Sequence, residues 1–409
     1  MTASLLAASA GAGAAFKARF LPGGGKPLGL GDVDPLLRPS GWEPGPIRPD
    51  PVAIPPVGDL ADLVPEEPLR NLLRKLPPCW PAIKTSKVMH AFRLWGPGAV
   101  FSDGAFIRPF SAPVLSGKQF TDYLLDHRAF RRLAPGSSPL LVRAPDGVEV
   151  RTYADEYVGT FAGGLGHDDD LLAACGEVGL PAATPVVTES GEATVGDLVR
   201  HSLSSFSIHQ ELEWTAEALA RYLAPRPRWE NRFSETFSFD RVVQELIGRP
   251  FGKGSCLGTH VPNALVCLYR MAEHHPILSA RCRDRIAQYL KAASKLVTES
   301  RQPSGVWGGA WGPGADAVLK TPRDQATGSL VSTGHHLEWI AMAPPGLRPK
   351  RSVIQAAVEG ILVEADRFNA YERSELYLEF SHLARGLSLL KNRTPSEAAG
   401  VRGAEAPRG

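Results

Sequence analysis

Gly254-Ser-Cys-Leu-Gly-Thr-His-Val-Pro-Asn-Ala-Leu-Val-Cys-Leu-Tyr-Arg-Met271, followed by Ser279–Glu299, decides how the chain is read. The second segment sets Ile286, Tyr289, Leu290, Ala293, Leu296 and Val297 on one stripe, the spacing that buries a single helix face. The first segment differs. After a polar opening, Thr259–Met271 is apolar around most of its circumference, which predicts a helix buried on every side. A half-buried helix beside a fully buried one is the contrast between an outer and an inner layer.

The same contrast recurs six times. Outer helices are predicted at Asp59–Leu76, Lys118–Phe130, Thr194–Phe206, Ser238–Ile247, Ser279–Glu299 and Ser352–Phe368. Inner helices are predicted to begin near Lys84–His90, Gly166–Asp168, His209–Glu213, Gly258–His260, Gly334–Glu338 and Ser374–Glu379. One marker in each (His90, His167, Glu213, His260, His336, His382) gives steps of 77, 46, 47, 76 and 46 residues. A step of about 46 residues is one helical hairpin of a repeat architecture. The expected fold is therefore all-α, an (α/α)6 toroid over residues 58–391, whose inner-helix N-termini share one basin. The two long steps hold insertions. Leu140–Tyr153 alternates around Asp146-Gly147 as a β-hairpin, and 301–328 is a loop rich in Gly and Trp. Residues 1–57 read as a Pro/Gly-rich irregular arm and 392–409 as a disordered tail.

Composition narrows the function classes. A net charge of +2 argues for neither nucleic acid nor an anionic membrane surface. No stretch reaches the roughly 18 apolar residues of a membrane span. Five cysteines without CxxC spacing predict reduced thiols or a metal ligand rather than a disulfide framework. Ser4–Phe16 is small and apolar but lacks a basic n-region, so a tail and a cytoplasmic location are expected, with a weak export signal as the alternative.

Two constellations carry chemistry. Cys256, His260 and His336 offer a soft thiolate and two imidazoles, a zinc ligand set that leaves a fourth position open. Non-metal catalysis by the same residues, or a buried structural polar cluster, are the alternatives. The second set is acidic. Glu213 and Glu338 sit in a shared Leu-Glu-Trp element, and Asp168 opens another inner helix. With His335 they are the candidate catalytic groups, since paired carboxylates serve sugar hydrolysis or elimination. Carboxylates in a first helical turn also simply favour the helix dipole. His167-Asp-Asp-Asp170 is read as an N-cap and first turn rather than a metal site.

Leu296-Val297 … Gln302-Pro-Ser-Gly305-Val-Trp307 resembles the QW element of the terpenoid cyclase and protein prenyltransferase toroids. Gly258–Cys267 resembles the opening of an inner helix in those repeats. The run Gly308-Gly309 … Lys320 … Asp324 … Gly334-His335-His336-Leu337 is loosely similar to the last repeats of a prenyltransferase β subunit. The resemblance covers roughly residues 250–345 and lacks the DxDD, DDxxD and Asp-x-Cys elements of those enzymes. It implies a toroid with its site at one mouth. Toroidal lanthionine cyclases and prenyltransferases are similar in using Cys/His zinc there. Zinc-assisted transfer or cyclisation is thus expected, on a small-molecule, lipid or glycan ligand in the central basin. A polysaccharide lyase or glycoside hydrolase, and a non-catalytic ligand- or protein-binding toroid, are the alternatives.

Overall fold

The computed structural model describes residues 42–101, 106–152, 165–320 and 326–403. They are mostly helical, with a few small antiparallel sheets. In chain order the first helices are α1 (Glu66–Arg74), α2 (Thr85–Trp95), α3 (Gly117–Leu125), α4 (His127–Leu133), α5 (Asp170–Glu177), α6 (Val195–Ser205), α7 (Leu212–Leu223) and α8 (Phe239–Gly248). There follow α9 (Ser255–Gly258), α10 (His260–Met271), α11 (Ala280–Glu299), α12 (Ala315–Lys320), α13 (Ala326–Met342), α14 (Arg351–Ala365), α15 (Ala370–Glu375), α16 (Tyr377–Leu390) and α17 (Pro395–Ala399).

The outer-helix expectations correspond to α1, α3 with α4, α6, α8, α11 and α14. Their starts are capped as their sequences suggest. Ser238 Oγ accepts from Arg241 N, Ser279 Oγ accepts from Cys282 N, and Asp197 Oδ2 accepts from Thr194 N. The helices expected to be inner correspond to α2, α5, α7, α10, α13 and α16. Every residue of α7 is buried, as are almost all residues of α13 from Ser329 onward. Helix α2 packs on α5 and α16, α7 on α5 and α10, and α13 on α10 and α16. The α13–α16 pair is especially close because two glycines face each other. A Cβ at Gly334 would meet Leu383 N at 2.8 Å, and one at Gly386 would meet Gly334 O at 2.9 Å. Outside this set, α3 lies on α2, α6 on α5 and α7, α8 on α7 and α10, α11 on α10, and α14 on α13.

The sheets are β1 (Ala99–Val100) with β8 (Arg402–Gly403), β2 (Leu141–Ala144) with β3 (Gly147–Val150), β4 (Pro185–Thr188) with β5 (Gly191–Thr194), and β6 (Arg228–Glu230) with β7 (Thr236–Ser238). The β2–β3 hairpin is the expected one. Its register pairs Ala144 with Gly147, so the turn is Pro145-Asp146, one residue earlier than Asp146-Gly147 suggests. The β4–β5 and β6–β7 hairpins are three or four residues per strand, too short for an alternation signal. Each runs straight into an outer helix.

One expectation changes. The segment after Lys391, read as a disordered tail, carries α17, capped by Thr394 with Glu397 and ended by left-handed Gly400. It then pairs β8 with β1. Its capping box was present in the sequence and outweighs its polarity. The arm is irregular as expected in residues 42–57, and it is tied down. Arg48 N donates to Tyr222 O, Val52 N to Arg221 O and Val57 N to Ala341 O. It therefore crosses the C-terminal ends of α7 and α13. No helix among the described residues is long and apolar enough to cross a membrane.

Candidate metal centre

The loop before α10 does not continue the helix backwards. Cys256 (φ 44°, ψ 50°) and Leu257 (φ 63°, ψ 27°) are both left-handed, flanked by Gly254 (φ 111°) and Gly258 (φ 71°). Left-handed backbone costs a residue with a Cβ on the order of 1–3 kcal/mol, and such strain clusters at functional sites. The turn is held from outside. Trp311 Nε1 donates to Leu257 O at 2.8 Å. Trp311, from the Gly/Trp loop, is fully buried. Cys256 and His260 were expected to meet through helical spacing. They meet because this strained turn folds the thiol back over the first residue of α10.

The third member of the cluster is His167. The ligand atoms of His167, Cys256 and His260 all lie within 4.8 Å of one another. His167 precedes α5, beside Asp169, whose backbone is left-handed at φ 59°. Asp169 Oδ2 accepts from Ser202 Oγ at 2.8 Å and Thr215 Oγ1 at 2.7 Å, which pins the turn carrying His167. Glu211 stands behind the imidazoles. Its Oε2 is 2.9 Å from His167 Nδ1, and its Oε1 is 3.9 Å from His260 Nδ1. A carboxylate on Nδ1 leaves Nε2 of His167 for a ligand and fixes its tautomer. His260 is 3% exposed, and no hydrogen bond of ordinary geometry reaches either ring nitrogen, although Cys256 and Glu211 both stand close to the ring. A buried imidazole with both nitrogens unmet is costly unless something completes it.

The electrostatics pair two anions with two protonated rings, so a metal ion here would have to displace protons from both imidazoles. Burial pushes the Cys256 thiol up, but His260, His335 and His167 outweigh burial and hold it well below the usual thiol range. Burial likewise opposes the charged forms of His167 and His260. Cys256 and Glu211 overcome it, raising His167 to about 11 and His260 to about 9. Glu211 is brought down to about 2 against burial by His167 and His260.

His336, expected as the third ligand, lies elsewhere. Helix α13 reaches back to Ala326, so His335, His336 and Glu338 lie within the helix rather than in its first turn. Adjacent residues on a helix point about 100° apart. His335 therefore faces the site, with ring centroids 5.0 Å from His260 and 3.7 Å from His382. His336 faces Trp307 and Trp311, and its Nδ1 accepts from Trp339 Nε1 at 2.9 Å. Burial and the neighbouring His335 lower it to about 3. His335 Nδ1 donates to Val331 O at 2.7 Å, and its Nε2 is buried without a partner.

The expected carboxylate pair does not share a cavity face. Glu213 Oε1 accepts from Arg249 Nη1 at 2.7 Å. Glu338 belongs to a buried network with Arg93 (3.1 Å), Arg385 (3.4 Å) and His382 (3.1 Å), to which Glu177 is joined through both arginines. Asp168, expected in a first turn, lies half-buried two residues before α5. The Arg93 guanidinium stacks 4.8 Å from the Trp214 ring, which also meets His260 at 4.8 Å and His167 at 6.3 Å. The network thus reaches the His/Cys cluster through the Trp214 indole and through His382, stacked on His335.

Trp311→Phe removes the bond to the strained turn together with part of an indole packed against Phe251 and His336. It is expected to weaken Co²⁺ affinity by about three- to tenfold, the worth of one neutral hydrogen bond, and an unchanged titration would show that the turn holds itself. Comparison of the chain with family models, with curated proteins and with solved structures gave no match.

Proposed function

We propose that the chain is a zinc-dependent enzyme, its metal held by His167, Cys256 and His260 at one end of an (α/α)6 helical toroid. The toroid reading is supported by a packing order that returns on itself: α2, α5, α7, α10, α13, α16 and back to α2. The ligand-bearing turns precede or open α5 and α10, and Glu211 immediately precedes α7, so the site belongs to the N-terminal ends of neighbouring inner helices. The observation that carries the zinc reading is the donor set itself. A thiolate and two imidazoles converge, a carboxylate backs both rings, and His260 is buried with no other partner.

Three protein ligands leave a fourth position open, the pattern of catalytic rather than structural zinc, and the ion there supplies Lewis acidity. The chain's own groups do the rest. Glu211 orients His167. His335, with Nδ1 committed to Val331 O, presents an unpartnered Nε2 beside the centre and serves as the acid or base that moves a proton to or from substrate. Transfer or addition at an activated electrophile is the reaction class favoured. Hydrolysis or elimination by paired carboxylates is less favoured, because Glu213 and Glu338 are both committed to arginines.

A second reading rests on the same atoms. Glu211, His167 and Cys256 form a carboxylate–imidazole–thiolate series, and a depressed thiol on a strained turn is a nucleophile. Metal analysis of protein purified without chelator separates the two. Zinc at one per chain, with Co²⁺ giving a thiolate charge-transfer band lost in Cys256→Ser, supports the metal centre. Metal-free protein whose Cys256 is alkylated rapidly at mildly acid pH supports the nucleophile. Metal-free protein with an inert Cys256 overturns both. In the zinc form, Glu211→Gln is expected to cost about 10–100-fold in metal affinity, read by competition with a chromophoric chelator.

A further inference from the structure

The opposite end of the inner helices encloses a second, chemically different space. A cavity of about 200 Å³ lies among Val266, Met342 and Leu389, with Ala53, Ile54 and Pro55 of the arm along its edge. Met342 ends α13, Leu389 lies in the last turn of α16, and Arg221 lies in the last turn of α7. The cavity thus lies at the C-terminal ends of α7, α13 and α16 and reaches inward as far as Asn263 on α10. Most of the wall is apolar, and a few charged groups reach it: Glu177, Glu217, Arg221 and Arg385.

Two of these are spent on each other. Arg385 Nη2 is 3.1 Å from Glu177 Oε1. The other two are not. Glu217 and Arg221 stand one turn apart on α7, the spacing at which such a pair ordinarily closes. No ion pair joins them among the described residues. Glu217 Oε1 instead accepts from Asn263 Nδ2 at 2.6 Å, and Arg221 Nη1 donates to Val52 O at 2.9 Å. Arg221 is 5% exposed, and its Nε is buried with no partner. Glu217 is 2% exposed, and burial together with Glu177 raises it to about 7. One acid and one guanidinium therefore flank the same small apolar space, and neither is in an ion pair among the described residues. Buried charges persist only where a partner of opposite sign meets them.

We propose that this cavity binds a small zwitterion with an apolar side chain, of the class of an aliphatic α-amino acid, its ammonium on Glu217 and its carboxylate on Arg221. The side chain lies along Val266, Met342 and Leu389. Because Arg221 also holds the arm, through Nη1 to Val52 O and through its own carbonyl from Val52 N at 3.0 Å, the ligand and the arm share an anchor. Binding fastens the arm across the end of the bundle.

The experiment uses the full chain and millimolar L-leucine, followed by thermal unfolding and calorimetric titration. Two analogues each lack one charge: leucinamide has no carboxylate, and 4-methylpentanoate has no amine. Leucine is expected to raise the melting temperature and titrate to one site, and each analogue to bind at least about tenfold more weakly, the loss of one charge-assisted contact. Glu217→Gln keeps the shape and the Asn263 contact. It is expected to weaken leucine by about the same factor while unfolding cooperatively on its own. No heat and no shift with leucine, or equal binding by all three ligands, overturns the proposal and leaves a water-filled cavity. The readout needs no metal, so it stands or falls apart from the zinc reading.

Discussion

Glu338→Ala is expected to lower the unfolding free energy by about 3–5 kcal/mol, because removing one partner from a buried ionic network strands the others. Arg93 is 3% exposed in its side chain and Glu338 is 2% exposed. Without Glu338, Arg93 and Arg385 keep only Glu177 between them. His382 also loses its carboxylate at 3.1 Å. Denaturant titration of the variant measures the effect, and a loss below about 1 kcal/mol, the scale of an exposed pair, would show that water already reaches the network. The same groups set an acid limit. Burial alone would raise Glu338 and Glu177. The arginines outweigh it, holding Glu338 well below the usual carboxylate range and Glu177 at about 2. A carboxylate with a depressed folded pKa stabilises fully above its unfolded pKa of about 4.3, and the gain is lost as pH falls through the folded value. Stability should therefore fall from about pH 5 towards pH 2, and the fall should be shallower in Glu338→Ala.

The second large effect is at the thiol. Cys256→Ser is expected to cut zinc affinity by two to three orders of magnitude. In four-ligand structural sites, apparent zinc binding of about 10–16 kcal/mol is about 2.5–4 kcal/mol per ligand, and serine is a poor substitute for a soft thiolate. Retention of zinc at wild-type affinity would contradict the assignment.

The helices were readable because one-sided burial leaves a 3.6-residue imprint, clear in α11 and α14. Cys256 and His260 were legible as donors four positions apart at a polar helix opening. The choice between His335 and His336 was not, since it depends on how α13 is rotated about its axis, and α13 extends further back than its polar residues suggest. His167 was hidden for another reason. An acidic run before Leu171-Leu172 looks like capping chemistry, and what brings the ring to Cys256 is a left-handed Asp169 bonded to Ser202 and Thr215, both distant in sequence. Arg93 gave no signal at all. A lone arginine near the end of an apolar helix reads as a surface residue until its partners on α5, α13 and α16 are known.

The contact between α2 and α16 has a consequence for biosynthesis. Trp95 Nε1 donates to Tyr377 Oη at 3.1 Å, and Ser396 Oγ donates to Trp95 O at 3.2 Å. Helix α2 leaves the ribosome nearly 300 residues before its partner exists, an interval of roughly 15–60 s at ordinary translation rates. Throughout that wait, the apolar surfaces of α2 destined for α16 and α17 have nothing to cover them. Nascent chains stalled before residue 377 should accordingly bind holdase chaperones, and release should coincide with emergence of α16 and α17.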